Sequence, residues 1–308
     1  MSSLKTFFNM LKNDRGSIPD ALMRRAIRTG ITNVIPDKKF LEMSYRSHFH
    51  KKLNLKDPKT FNEKLQWLKL YNRKPEYVTM VDKYDVRKYI SDHVGEEYLI
   101  PCLGVWNTVE EIDYDSLPEK FVLKCTHDSG SVMICDKKTL DKDKVKERLG
   151  KKLKANMFWW GREWPYKDLK PRIIAEHFMQ DESGELRDYK FMCFNGEVKC
   201  TFICSDRFSG NGLHVTFFDR DWNVMPFERS IPSVKEGLPK PLNYNKMIEL
   251  AEKLSKDIPF VRVDFYEVNG QIYFGELTFF PGNGMEAFQP EEWDYKLGEW
   301  IKLPVIEK

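Results

Sequence analysis

The sequence predicts a mixed α+β protein, on three observations. Amphipathic spacings with helix starts and stops fill residues 1–95. From Tyr98 onward the texture changes to short apolar runs broken by turns. Two pairs of these runs meet at Asn195-Gly196 and at Asn269-Gly270, and Asn-Gly between apolar runs is a strong short-range hairpin sequence.

Composition narrows the class. A chain of 308 residues and 36.6 kDa makes one large domain or two moderate ones. With 41% hydrophobic and 14% aromatic residues it can bury a sizeable core. The 50 basic and 47 acidic residues leave a net charge of +3, a balance that demands no nucleic-acid partner. The six cysteines (Cys102, Cys125, Cys135, Cys193, Cys200 and Cys204) contain no Cys-x-x-Cys pair. They read as reduced, mostly core thiols of a cytoplasmic protein and argue against structural zinc. No run of about 18 apolar residues predicts a transmembrane helix, and the N-terminus lacks the apolar stretch and cleavage site of a signal peptide.

The elements follow in order. Residues 1–53 are basic and helical. Leu4, Phe7, Phe8 and Leu11 keep helical spacing, and a second helix is expected from Pro19 to about Thr29, stopped by Gly30. Lys5, Lys12, Arg15, Arg24, Arg25 and Arg28 surround the apolar positions. Two readings stand: a helical extension packed on the body, favoured because apolar stripes usually find a core, and attachment to an anionic membrane surface. Thr60 and Glu63 have the spacing of a capping box, opening a helix through Phe61, Leu65, Trp67, Leu68 and Leu70. One further helix is expected over residues 77–94, with Asp82-Lys83 inside it and Gly95 at its end.

Residues 121–125 and 132–135 are strands around a small-residue loop, Thr126-His127-Asp128-Ser129-Gly130-Ser131, preceded by Lys124. Such a loop offers N–H groups to an anion, and lysine adds a point charge. Taken alone, it reads more simply as a hairpin with a polar tip. Residues 141–154 form a charged helix with a solvated face. The aromatic run at 157–166, with Trp159, Trp160 and Trp164, either stacks on a sugar or base or packs on the core as a lid. Strands follow at 171–178, 188–194, 198–204 and 215–219, with Lys190 and Arg207 near the two ends of the Asn195-Gly196 hairpin. Residues 243–256 and 289–303 are helical.

Residues 260–284 carry the candidate chemistry. Arg262 and Asp264 alternate with Val261, Val263 and Phe265, and Glu276 and Thr278 share a side of the next strand. A two-residue turn pairs Val268 with Gln271 and puts Asp264 and Glu276 on opposite faces, whereas a loop one residue longer or shorter puts Arg262, Asp264, Glu276 and Thr278 on one face, with Asp264 and Glu276 as cross-strand neighbours. The expected device is a three-residue loop with Gly270 left-handed. Adjacent carboxylates repel unless a cation lies between them, and few hard oxygen ligands suit Mg²⁺ that also holds phosphates. A solvent-facing hairpin with ordinary charges is the alternative.

In order, the chain presents Asp82-Lys83, Lys124 before the small-residue loop, Ile174-Ala175-Glu176, Arg262-Val263-Asp264 and Glu276. This order resembles the ATP-grasp superfamily. The segments FNEKLQWLKLYNR, DKYDVRKYI, EEYLIPCLGVW, FVLKCTHDSG, GREWPYKDLKPRIIAEHFM, DYKFMCFNG, PFVRVDFYEVNGQIYFGELTF and PEEWDYKLG are similar to its TupA-like family, over residues 61–303.

The resemblance implies an ATP-grasp architecture of two α+β lobes clasping ATP, about residues 98–175 and 176–308, behind an N-terminal helical extension over 1–60. It implies that Lys83 and Lys124 reach the phosphates and that His127, Asp128, Ser129, Gly130 and Ser131 form a flap over them. Glu176 then lies at the adenine and ribose end. Asp264 and Glu276 hold Mg²⁺, and Arg262, with Lys190 beside it in the catalytic set, stabilises an acyl phosphate or the incoming oxyanion. In much of the superfamily an asparagine two residues past the glutamate is a third metal ligand. Here that position is Thr278, which leaves a thinner metal site or Asn283 as a substitute. The implied activity is an ATP- and Mg²⁺-dependent carboxylate–amine ligase. Its substrate is a carboxylate on a cell-surface glycan precursor or an amino acid, in capsule or teichuronopeptide-type assembly. A glycosyltransferase or sugar kinase is the alternative, although Asp141-Lys142-Asp143 is placed in an exposed helix and is a poor nucleotide-sugar motif. A non-enzymatic nucleotide- or glycan-binding module is the third reading. The expected location is the cytoplasm, with contact at the inner membrane face as the variant in which the N-terminal helices bind lipid.

Overall fold

The structure is a computed structural model that describes residues 19–180, 186–205, 213–234 and 238–305. The helix expected over residues 4–11 and Arg207 lie outside them. The chain forms two compact units.

The first unit gathers the residues up to Arg73, Asn156–Lys167 and the segment from Phe280. The boundary expected at residue 60 falls inside it. Helix α1 (Asp20–Arg28) stops where Gly30 turns left-handed, at φ 74°. Its Met23 and Ala26 share a core with Phe40, Leu41 and Tyr45 of α2 (Asp37–Phe49) and with Leu53. This is the packed-extension reading of the second basic helix. Helix α3 (Phe61–Tyr71) opens on the expected capping box: the Glu63 N–H donates to Thr60 Oγ1 (3.1 Å), and the Glu63 carboxylate accepts from the Thr60 N–H (3.3 Å). It packs on α9 (Glu292–Trp300), where the Asn62 N–H donates to Asp294 Oδ1 at 3.0 Å. The aromatic run forms the short helix α7 (Phe158–Gly161) and wraps a fully buried Arg162. That guanidinium lies 4.3 Å from the Phe40 ring centroid and 4.6 Å from that of Trp159, and donates to the Thr32 carbonyl at 2.8 Å. In this run Trp160 remains exposed.

The second unit is Lys74–Ala155 with Asp168–Phe279, and it holds two antiparallel sheets. The smaller has the order β1 (Cys102–Trp106), β4 (Ile173–His177), β2 (Lys120–Cys125), β3 (Met133–Asp136). Helix α6 (Lys142–Leu153) covers one face, its Val145 and Leu149 in one core with Phe121, Leu123, Ile173 and Ala175. Lys124 and Glu176 stand on the other face, because side chains alternate along a strand. The larger sheet has the order β10 (Gln271–Thr278), β9 (Phe260–Val268), β5 (Asp188–Phe194), β6 (Glu197–Ser205), β7 (His214–Phe218). A two-residue strand, β8 (Glu228–Arg229), follows β7. Helix α8 (Tyr244–Leu254) covers the apolar face, stacking Tyr244 on Phe191 at 5.7 Å. One face of this sheet is therefore buried under a helix, and the other is free to carry polar side chains. Helices and antiparallel sheets together make the α+β architecture that the sequence predicts. Four of the six thiols, Cys125, Cys135, Cys193 and Cys200, are buried, and all six are free. Among the described residues no helix is long and apolar enough to cross a membrane.

Two expectations need correction. The helix expected over residues 77–94 is two helices, α4 (Glu76–Val81) and α5 (Val86–His93). Asp82 breaks it: its Oδ1 accepts from the N–H groups of Tyr84 and Asp85, each at 2.9 Å, and from Arg172 at 2.9 Å. A side-chain acceptor that competes for local N–H groups ends a helix. The second correction concerns the β9–β10 hairpin. Val268 pairs with Gln271, so the turn has two residues, with Asn269 at φ 51° and Gly270 at φ 79°. That is the left-handed pair of a type I′ turn. The one-residue offset comes instead from a bulge at Gly275, which separates the Phe265–Phe274 pair from the Asp264–Glu276 pair.

Candidate active site

The polar face of the larger sheet carries a row of charges. Lys190, Asp264 and Glu276 are direct register partners across β5, β9 and β10, and Arg262 is opposite Thr278. Alternation adds Asp188 to the Lys190 side of β5. Glycine at 275 permits this arrangement. A Cβ there would come 3.1 Å from the Asp264 carbonyl oxygen and 3.1 Å from the Tyr266 ring, which is closer than a side chain sits without displacement.

The row is a hydrogen-bonded charge network. Arg262 forks onto Asp264, with Nε to Oδ1 at 2.7 Å and Nη2 to Oδ2 at 2.7 Å, and the same Nη2 reaches Glu276 Oε1 at 2.6 Å. Lys190 Nζ donates to Asp264 and pairs with Asp188 Oδ2 at 2.5 Å. The Thr278 hydroxyl donates to Glu276 Oε1 at 3.1 Å. Asp264 is fully buried, whereas the Glu276 side chain is 41% exposed. Burial pushes the Asp264 carboxyl up, against the pull of Arg262 and Lys190. Burial alone would lower Arg262 and Lys190, yet the carboxylates around them hold both above their ordinary ranges. At Glu276 the upward push of burial is outweighed by Arg262, Lys83 and Lys190, which hold the carboxyl down to about 2.

The second cluster gathers on the smaller sheet. Lys124 Nζ pairs with Glu176 at 2.5 Å. The helix break at Asp82 lets the Lys83 N–H donate to the Thr126 carbonyl at 3.0 Å, and Lys83 Nζ donates to the Asp128 carbonyl. Burial lowers the Lys83 ammonium, with Glu276 opposing that shift and Lys124 adding to it. The Lys83 ammonium thus senses charges of both clusters, Glu276 on the larger sheet and Lys124 on the smaller.

The small-residue loop divides by burial. Ser129 and Gly130 are its exposed tip, with Gly130 left-handed at φ 83°. His127, Asp128 and Ser131 are buried. Ser131 Oγ accepts from the Cys125 N–H at 2.8 Å and donates to Asp128 Oδ1 at 2.5 Å. His127 Nε2 lies 3.2 Å from the Ala155 carbonyl, and burial lowers its pKa. These three side chains hold the loop's shape, and the tip presents backbone. Two cations from α6 meet the tip: Arg148 donates to the Gly130 carbonyl at 3.2 Å and Lys152 to that of Ser129 at 3.3 Å. Lys152 also lies 3.3 Å from the Asp128 carboxylate.

Sequence reasoning missed Asp188, Tyr266, Arg148 and Lys152. The i, i+2 spacing of Asp188 from Lys190 was a usable clue, as was the i, i+4 spacing of Arg148 and Lys152. Tyr266 carried none, since its phenol is raised by burial and by Asp188, Glu276, Asp264 and Glu176, which only the fold brings near.

The donor set can be tested for a divalent cation. Among the described residues no three acidic, histidine or cysteine side chains converge tightly enough to hold a metal unaided. Asp264 and Glu276 are adjacent hard-oxygen donors, and Asp188 Oδ1 is a buried oxygen without a hydrogen-bond partner. Two or three carboxylates fit Mg²⁺ whose remaining ligands are water and phosphate oxygens. Asn283 lies in the first unit, where its backbone carbonyl accepts from Lys69 at 2.7 Å.

Comparison with known proteins follows the same direction. The model of a family described as TupA-like ATPgrasp matches residues 63–302. No curated protein matches the chain. Similar solved structures include D-alanine–D-alanine ligase from Bacillus anthracis in complex with ATP, at 14% identity and a TM-score of 0.42, covering 72% of this chain and 63% of that one. The ATP-grasp ligase PsnB, in complex with a precursor variant, Mg and ADP, is 11% identical with a TM-score of 0.42, covering 82% of this chain and 65% of that one. D-alanine–D-alanine ligase from Helicobacter pylori is 14% identical with a TM-score of 0.42, covering 80% and 68%. The chain thus spans less than two thirds of the length of the first two of these structures, and likeness at these scores carries no argument about chemistry.

Proposed function

This chain belongs to the TupA-like ATP-grasp family, and we propose from that premise that it is an ATP- and Mg²⁺-dependent carboxylate–amine ligase. The observation that carries the reading is the charge network itself. Three carboxylates and two cations line one sheet face, and Lys83 couples them to Lys124 and the small-residue loop. Phosphoryl transfer needs alignment and charge neutralisation more than covalent help from the protein. This face supplies both.

In the proposed reaction, Lys83, Lys124 and the exposed N–H groups at Ser129 and Gly130 bind the triphosphate. Asp264 and Glu276, with Asp188 as third donor, hold Mg²⁺, which when bound neutralises phosphate charge and aligns the γ-phosphoryl group. Arg262 and Lys190 steady the incoming substrate carboxylate. Its oxygen attacks the γ-phosphorus, the bond to the β-phosphate oxygen breaks, and ADP leaves. An amine then attacks the acyl carbon, phosphate departs, and the amine loses a proton as the amide forms. The two sheets are the proposed lobes, with Arg148 and Lys152 steadying the flap between turnovers. The proposed carboxylate is borne by a cell-surface polysaccharide precursor, and the proposed place of action is the cytoplasm.

The test is ATP turnover in the presence of candidate carboxylates and amines. ADP, phosphate and an amide in equal amounts are expected. Asp264→Asn and Glu276→Gln should each lower Mg²⁺-dependent turnover by about 100-fold or more while the circular dichroism spectrum stays unchanged. Undiminished turnover in both variants would sink the metal assignment. A phosphorylated product without free phosphate would replace the ligase with a kinase, and consumption of a nucleotide sugar would replace it with a glycosyltransferase.

A further inference from the structure

Residues 19–60 carry 10 basic and 4 acidic side chains, a net +6 in a chain whose total is +3. A charge asymmetry of this kind suits an anionic partner. It belongs to the first unit, whereas the proposed nucleotide site lies in the second. Helix α1 turns Met23 and Ala26 into the core, so its apolar stripe is already covered. Arg24, Arg25 and Arg28 lie on the opposite, exposed side. In α2, Lys38 and Lys39 are exposed in the first turn. Cations there oppose the helix dipole, so local stability does not account for them.

The acids nearby are mostly matched, and four of the cations are not. Asp20 accepts from Arg24 Nε at 2.7 Å. Asp37 takes both Arg73 Nη2 at 2.9 Å and Arg162 Nε at 3.3 Å. Glu42 is the other acid of these two helices. Arg25, Arg28, Lys38 and Lys39 form no ion pair among the described residues.

Two apolar side chains project from the same assembly. The turn Ile31–Val34 joins α1 to α2, so Val34 stands between Arg28 and Lys38 along the chain. Ile31 and Ile35 pack on the core and Thr32 is buried, yet Val34 is 80% exposed. The turn is held in that posture. Arg162 Nη2 donates to the carbonyls of Thr32 at 2.8 Å and Ile35 at 3.3 Å, and the Asn33 N–H donates to the Gly30 carbonyl at 3.0 Å. Trp160 is 47% exposed on α7, a helix that packs against α1. Its neighbour Trp159 lies against the same Arg162. Arg162 thereby ties both exposed groups to the basic helices. A lone exposed valine is ordinary. A valine and a tryptophan presented by one fixed framework, next to unpaired cations, form a surface that suits an apolar and anionic partner.

We propose that this surface docks on an anionic membrane. Arg25, Arg28, Lys38 and Lys39 meet the acidic headgroups, Val34 enters the headgroup layer, and Trp160 lies at the interface. The anchor is a fixed tip with a basic rim. It is not the apolar stripe of α1, which the core already covers. A nucleic acid or an acidic polymer would satisfy the cations but leave Val34 without an apolar partner, and that favours the bilayer. None of these residues belongs to the proposed ligase site.

Flotation of the full chain with lipid vesicles tests this. Vesicles of phosphatidylcholine alone are compared with equal parts of phosphatidylcholine and phosphatidylglycerol. Binding should require phosphatidylglycerol and should weaken by about tenfold or more between about 0.1 and 1 M salt, as the Debye length falls from about 10 to 3 Å. A cation near an anionic surface is worth about a fivefold factor, so Arg25→Gln combined with Lys38→Gln should weaken binding by about 25-fold. Val34→Ser should weaken it by about threefold or more, with the melting temperature within a few degrees of the parent. Brominated phosphatidylcholine in the acidic vesicles should quench tryptophan emission, and Trp160→Phe should lose most of that quenching. Lys124→Ala should lose ATP binding yet float like the parent, so this proposal and the ligase reading can fail separately. Absence of binding to the acidic vesicles, or equal binding to both kinds, would overturn the proposal. So would binding that ignores the Arg25 and Lys38 substitutions. Binding that ignores Val34→Ser, shows no Trp160-dependent quenching and is matched by a DNA duplex would replace the membrane with a non-specific polyanion.

Discussion

Glu276 is the residue at which pH should register. Its carboxyl is held at about 2, below the ordinary 4.5, by Arg262, Lys83 and Lys190 against the opposing push of burial. A depressed carboxyl means that the unfolded chain takes up a proton before the folded one does. Its contribution to stability is therefore complete above about pH 4.5 and is lost as pH falls toward about 2. Denaturant midpoints measured over that interval should fall less steeply in Glu276→Gln than in the parent, and parallel curves would refute the charge coupling. Its neighbour behaves differently. Asp264 is buried with Arg262 and Lys190 on its oxygens. Removing one partner of a buried ion network leaves uncompensated charge, at a cost of about 3–5 kcal/mol. Asp264→Ala should thus unfold at markedly lower urea concentration than Glu276→Ala, whose side chain already meets solvent.

Hairpin β9–β10 shows the element scale. Its two glycines do different things, and substitution should separate them. Gly270 is left-handed with open space around it, so Gly270→Ala strains only the backbone, costing about 1–2 kcal/mol, and should leave ATP affinity unchanged. Gly275 is the bulge, pressed against the Asp264 carbonyl and the Tyr266 ring. Gly275→Val should lower stability by about 1–3 kcal/mol and also weaken Mg²⁺-dependent ATP binding, because Glu276 then shifts out of register with Asp264. Equal ATP affinity in both variants would show that the bulge does not position the carboxylates. The helix pair α4–α5 is the second case. The sequence there is periodic enough for one helix, yet Asp82 draws two N–H groups and Arg172 to itself. The resulting break delivers Lys83 to the loop at 126–131.

At the scale of the whole molecule, the prediction is thermodynamic. A ligand that binds only the folded chain raises its stability by about 2.7 kcal/mol at 100 times its dissociation constant. ATP with Mg²⁺ should raise the melting temperature more than ATP alone, and UDP-sugars should not raise it. Lys124→Ala should abolish the ATP shift, since among the described residues the Lys124 ammonium pairs with Glu176 alone and phosphate is its further proposed partner. The first unit has its own buried cation to test. Lys69 joins three segments distant in sequence, donating to the Gln66 side chain and to the carbonyls of Gly161 and Asn283 at 2.7–3.1 Å. Burial lowers its pKa to about 8. The native chain then sheds this proton between about pH 8 and 10.5 while the unfolded chain keeps it, so stability gains over that window. The gain should vanish in Lys69→Met.

Local chemistry was legible in the sequence wherever one short stretch decides it. The Thr60–Glu63 capping box, the two Asn-Gly turns, the Gly30 stop and the alternation along the strands depend on neighbours a few residues apart, and the structure bears them out. The family was legible too, because motif order survives in sequence. The sequence also placed Arg262, Asp264, Glu276 and Thr278 on one face, though by the wrong device, a longer loop in place of a bulge. What the tertiary structure alone decided is which charges meet. Lys190 with Asp264, Lys124 with Glu176, Lys83 with Asp128, and Arg148 and Lys152 with the loop tip are pairs separated by 18 to 74 residues. Sequence spacing fixes the face a side chain occupies, but strand order, register and a single bulge fix what stands opposite it.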